Sequence, residues 1–135
     1  MLTYRFTIFG PPRTKKTSNQ IVVVKGRRLV MPSKQWQRWL CDATVIGSPN
    51  PPLPIRAPVN CRALFYRDKN LGDAVGFYQG LADFLEKRGY LENDRLIVSW
   101  NGSRLLIDRQ MPRVEVELTV VSTHHREVFR AIEGA

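Results

Sequence analysis

The chain reads as a small α+β domain in which one mixed β-sheet packs against two main helices. Three observations predict this. LTYRFTIF (2–9), VNCRALFYR (59–67) and RVEVELTVV (113–121) alternate apolar and polar residues with the period of half-buried strands. Two stretches, from Ser33 to about residue 45 and from Asp73 to Arg88, carry apolar residues at helical spacing. The strands and helices interleave with hairpin turns, not with a regular strand–helix–strand alternation. At 135 residues the chain is long enough for one domain with its own core, and 1–135 is read as that domain.

In chain order, the opening strand ends at Gly10-Pro11-Pro12, and a basic loop follows, Arg13-Thr14-Lys15-Lys16-Thr17-Ser18. IVVVKGRRLVM (21–31) reads as a hairpin turning near Lys25-Gly26-Arg27. Ser33 is placed to cap the first helix, which runs to about residue 45 with Trp36, Trp39, Leu40 and Val45 on its apolar side. Residues 47–58 hold five prolines and make a stiff internal connector. After the strand at 59–67, Asp68-Lys69-Asn70-Leu71-Gly72 turns the chain into the second helix, which stops at Gly89. RLIVSW (95–100) is a strand, Asn101-Gly102 a hairpin turn and SRLLIDR its return. After Ser122 the tail is polar apart from Val128, Phe129 and Ile132, and reads as a short docked helix or a frayed end.

Composition narrows the function. A hydrophobic content of 43% with 24% charged residues is that of a folded protein. No signal-like or membrane-spanning run is visible, and a cytoplasmic protein is expected. Cys41 and Cys61 lack zinc-ligand spacing and read as reduced thiols. His124-His125 read as exposed tail residues.

The charge is unevenly placed. The chain is +9 overall, yet residues 68–94 hold six of its twelve carboxylates against three cations, so that window is −3 and the remainder +12. A basic body attracts a polyanion, nucleic acid above all. Carboxylates inside that field oppose phosphate unless a divalent cation lies between, which is the requirement of a metal-dependent nuclease.

Asp73 opens the second helix, Asp83 lies within it and Asp94 follows it, in a loop that neighbouring strand ends would bring back toward Asp73. Each has a plainer reading: Asp73 as a helix cap, Asp83 as the i,i+4 partner of Lys87, Asp94 as a turn residue. Gly76 and Gly80, four apart on the same helix, cost about 1 kcal/mol each relative to alanine. Either another backbone packs closely there, or a phosphodiester or metal approaches the helix.

The chain resembles the RusA family of Holliday-junction resolvases over most of its length. Gly10-Pro11-Pro12 with Lys15-Lys16 is similar to that family's N-terminus, and Pro32-Ser33-Lys34-Gln35-Trp36 to its helix start. The most specific segment is GDAVGFYQGLADFLEKRGYLENDRLI (72–97). It resembles the family's Asp-x-Asp-Asn motif, mid-helix aspartate and Asp-Asp loop, with Asp73, Asp83 and Asn93-Asp94 at the matching positions. The resemblance implies a homodimeric, Mg²⁺-dependent endodeoxyribonuclease, with Mn²⁺ as a substitute ion, that resolves four-way or other branched DNA in phage or prophage recombination and repair. It implies Asp73, Asp94 and Asp83 as catalytic and metal-binding residues. The chain departs from the pattern at Val75, Gly76 and Gln79, where the family has its second aspartate, the asparagine and a lysine. Asp83 or Asp68 then supplies the lost ligand, the chain is an active branch with a different metal stoichiometry, or it binds junctions without cutting them.

Phosphate contacts are expected from Arg13, Lys15 and Lys16 on the first loop, from Lys25, Arg27 and Arg28 on the hairpin, and from Lys87 on the second helix. Their plainer reading is solvated charge, but six cations in residues 13–28 weigh against it. The rival function is a non-catalytic module for branched or duplex DNA, and RNA processing shares the same charge logic.

Overall fold

The computed structural model describes residues 2–15, 20–31, 33–47 and 54–121. Lys16, most of the proline connector and the tail beyond residue 121, with His124-His125, lie outside them. The expected class is observed: a mixed sheet with two helices on one face, in a single small α+β domain.

Strand β1 (Thr3–Phe9) is followed by β2 (Gln20–Val24), β3 (Arg27–Met31), α1 (Lys34–Asp42), β4 (Val45–Gly47) and β5 (Val59–Arg67). Then come α2 (Ala74–Lys87), a short 3₁₀ turn (Asp94–Leu96), β6 (Ile97–Ser99), β7 (Arg104–Ile107) and β8 (Arg113–Val120). The main sheet runs β4-β1-β8-β5-β6, with β7 also on β5. Its antiparallel centre aligns Phe6 with Val116 and Ala63, and Ile8 with Val114 and Phe65, so one apolar face forms from three strands of matched period. Trp36, Trp39, Phe77, Leu81, Phe84 and Leu85 from the helices fill that face. Trp39 meets Phe84 with ring centroids 4.5 Å apart, and Phe65 meets Phe77 at 5.4 Å. The opposite face is polar, as an antiparallel sheet with one face in water permits; Arg5 pairs there with Glu117 at 3.0 Å.

The hairpin of β2 and β3 forms a separate two-stranded sheet. Its turn holds Lys25 at φ +50° and Gly26 at φ +76°, the positive pair that a tight two-residue hairpin requires. Ser33 caps α1 as expected, accepting the Trp36 N–H at 3.2 Å. The helix stops at Asp42, three residues short of the expected end. Val45 and Ile46 instead form an edge strand on β1, where sheet pairing overrides the helical pattern.

The expected hairpin at Asn101-Gly102 is also corrected. The turn exists, but β6 and β7 do not pair with each other; both run parallel to β5, end to end along one edge. Residues 100–103 are an excursion between them, held by side chains. Asn60 Oδ1 accepts the Asn101 N–H, and Ser103 Oγ accepts from Ala63 N and donates to Cys61 O. Arg88, a cation on the apolar side of α2, donates to Leu40 O at 2.8 Å and Ala43 O at 3.0 Å, so it closes the C-terminal end of α1. Both cysteines are free: Cys41 is exposed, and burial pushes the Cys61 thiol far above its usual range.

Candidate nucleic-acid and metal site

The basic loop after β1 is held between the two helices. Lys15 O accepts the Ser33 N–H at 3.2 Å. On its other side the loop lies against the glycine stripe of α2. A Cβ on Gly80 would stand 2.8 Å from the Arg13 carbonyl oxygen, and one on Gly76 3.1 Å from Thr14 Cγ2. The two helical glycines are thus explained by close approach of the chain's own first loop, the Arg13 backbone at Gly80 and the Thr14 side chain at Gly76. Trp36 locks the same junction, its indole N–H donating to Gly80 O at 3.3 Å.

This packing decides the role of Asp83. Lys15 Nζ lies 2.6 Å from Asp83 Oδ2 and Lys87 Nζ 3.6 Å from the same atom. That oxygen is enclosed without a well-directed hydrogen bond. At such distances the charge contact is the one that counts. Both ammonium groups also lie over the Trp36 ring, 5.0 and 5.5 Å from its centroid. Asp83 is therefore the anion of a Lys–Asp–Lys cluster built on Trp36. Replacing it by asparagine is expected to cost about 1 kcal/mol. A double-mutant cycle with Lys15→Met, read by denaturant unfolding, checks this. A coupling of zero would mean that the pair contributes nothing.

Asp73 caps α2, its Oδ1 accepting the Gly76 N–H at 2.8 Å, and its side chain is exposed. Asp94 is exposed at the start of the 3₁₀ turn, and its N–H donates to Glu86 Oε1 at 3.0 Å. These positions separate the three carboxylates that the sequence puts in one site. Asp83 stands ten residues along α2 from Asp73, about 15 Å along the axis. Glu86, which holds Asp94, is thirteen residues from Asp73, about 20 Å. Among the described residues no three His, Cys, Asp or Glu side chains converge on a common ion position. α2 runs unbroken from Ala74 to Lys87, and Asp94 is tied to Glu86 near its far end, so the loop after it does not return to its start.

The cations divide likewise. Lys15 and Lys87 meet on Asp83 where the first loop meets the helices, while the Arg13 side chain turns toward Asp68. Lys25, Arg27 and Arg28 are exposed on the separate hairpin. The Asp73 end of α2 joins two residues that the sequence marked, Arg13 and Asp68, with two that it did not mark as site residues, Arg67 and Lys69. Arg13, Arg67, Asp68 and Lys69 line a cleft of ≈ 70 Å³ together with Thr14 and Gly72. Arg13 Nη1 lies 3.9 Å from Asp68 Oδ1. Asp68 and Asp73 flank the turn that enters α2, and hard oxygen donors of this kind suit Mg²⁺, which keeps several of its own waters. A signal for Arg67 was present in the sequence. It occupies the inward parity of β5 after Val59, Cys61, Ala63 and Phe65, where an apolar residue is the rule.

Val75 and Gln79, at the departures from the resolvase pattern, are both exposed, Val75 at 62%. No described helix is long and apolar enough to cross a membrane. Comparison of the chain with protein-family models and with curated proteins finds no match to either.

Proposed function

We propose that this chain acts on branched DNA as a metal-dependent endodeoxyribonuclease of resolvase type, working from the Asp73 end of α2. The observation that carries the reading is the company Asp73 keeps. An exposed carboxylate caps the helix, a second, Asp68, lies across the entering turn, and Arg13, Arg67 and Lys69 line the adjoining cleft. Acids amid cations make sense when a phosphodiester and a divalent cation meet there. Bound Mg²⁺ would supply an activated water and charge stabilisation for the leaving oxygen. Asp73, with Asp68, would hold the ion, and the cations of the cleft would place the phosphate beside it. A homodimer would present two such sites to a two-fold junction.

A second reading, binding without cutting, has its own support. Asp83 is neutralised by Lys15 and Lys87, and Asp94 lies at the far end of α2. One experiment separates the two. The purified protein is incubated with a labelled four-way junction and with matching linear duplex, in Mg²⁺, in Mn²⁺ and in EDTA, beside Asp73→Asn. The nuclease reading expects metal-dependent paired nicks in the junction that fall at least a hundredfold in the variant. Junction-selective binding with no nicks in either metal would leave the binding module. Absence of any junction preference would overturn both.

A further inference from the structure

Arg67 is the best-enclosed cation among the described residues, at 7% exposure, and no described carboxylate comes within ion-pair distance of its guanidinium. Its hydrogen bonds go to neutral acceptors only. Nε donates to Leu106 O at 3.2 Å, and Nη1 to Asn70 Oδ1 at 3.4 Å and Leu71 O at 3.3 Å. No described residue accepts from Nη2. The adjacent carboxylate, Asp68, turns instead toward Arg13. A buried charge with no counter-charge is unfavourable unless something of opposite sign reaches it.

We infer that the Arg67 cleft is an oxyanion subsite that takes a phosphate group. Arg67 lines it from within, and Arg13 and Lys69 add positive charge at its edge. At ≈ 70 Å³ it has room for several waters or for one tetrahedral oxyanion. With Nε and Nη1 committed to Leu106, Asn70 and Leu71, Nη2 is left to donate to an oxyanion, and those ties hold it in place as a flexible ammonium would not be held. The same side chain ties the end of β5 to the turn at 70–71, so an anion bound on Arg67 would be held rigidly relative to Asp73. The inference deepens the DNA reading and rests on it for the source of the phosphate, a backbone phosphodiester, while the anion site stands on Arg67 itself.

Inorganic phosphate is the first probe, titrated into the full chain at low ionic strength and followed by calorimetry and by melting temperature. Junction binding is measured in parallel. Wild-type protein is expected to bind phosphate saturably. Lys69→Gln and Arg13→Gln should each weaken binding about threefold or more, and Arg67→Lys about tenfold, while Arg109→Gln, an equal charge removed elsewhere, should change nothing. Should Arg67→Lys fail to fold, the two edge variants carry the test. Absence of saturable phosphate binding, or equal weakening by Arg109→Gln, would reduce Arg67 to a structural tie for its turn. Phosphate bound without junction binding would remove the DNA reading and leave the anion site standing. Junction bound at wild-type strength by Lys69→Gln, with no phosphate uptake, would do the reverse.

Discussion

Trp36→Ala is expected to lower the unfolding free energy by about 3–5 kcal/mol, the range for truncating a large buried aromatic and leaving a cavity. For a domain whose whole stability is of order 5–15 kcal/mol, that brings the variant near its folding limit. Trp36 is 1% exposed and reaches across from α1 to the glycine side of α2. Its loss removes the indole hydrogen bond to Gly80 O, leaving that carbonyl to find another donor, and removes the ring beneath Lys15 and Lys87. Because Lys15 also pairs with Asp83, the substitution should loosen the basic loop as well as the core. Denaturant unfolding checks the first part, and faster amide exchange at residues 13–15 the second. A loss under 1 kcal/mol would show that the two helices hold together without this anchor.

Gly80→Ala is expected to destabilise by about 1–3 kcal/mol, against the direction that helix propensity predicts. In an open helix the change would stabilise by about 1 kcal/mol. Here the new methyl would stand 2.8 Å from the Arg13 carbonyl oxygen and 3.4 Å from Trp36 Nε1. The first obstacle is backbone and cannot rotate away, so the loop must move off the helix. On the proposed function, that movement should weaken junction binding, since it displaces Arg13 and Lys15 together. The check is a melting temperature beside a junction-binding titration. A rise in melting temperature would mean that the loop yields freely and that the close approach is not required.

The alternation in residues 2–9, 59–67 and 113–121 was sufficient to place the three central strands, because a strand with one wet face writes its period into the sequence. The turn at Lys25-Gly26, the Ser33 cap, the Asp73 cap and the stop at Gly89 were legible for the same local reason: each depends on residues within one turn of chain. Two features were not. Val45-Ile46 belongs to β4 because β1 has a free edge beside it, and β6 and β7 lie end to end because both pair with β5. Neither partner lies within reach of a local pattern.

The site divides along the same line. Residue type and charge marked Asp73, Asp83, Asp94 and the basic loop, and the glycine pair announced that something approaches α2. Which of two candidates approached was a tertiary matter, and the answer is the chain's own first loop, through the Arg13 carbonyl and the Thr14 side chain. Helical rise carries Asp83 and Asp94 away from Asp73, and an ion pair with Lys15, sixty-eight residues distant in sequence, commits Asp83 elsewhere. Arg67 gained its meaning only when β7 and the turn at 70–71 closed around it. By itself the sequence determined the class of fold and the local punctuation, because these follow from periodicity and from residues within one turn of chain. Tertiary structure alone decided which charges meet, because that depends on distances between segments that no local rule relates.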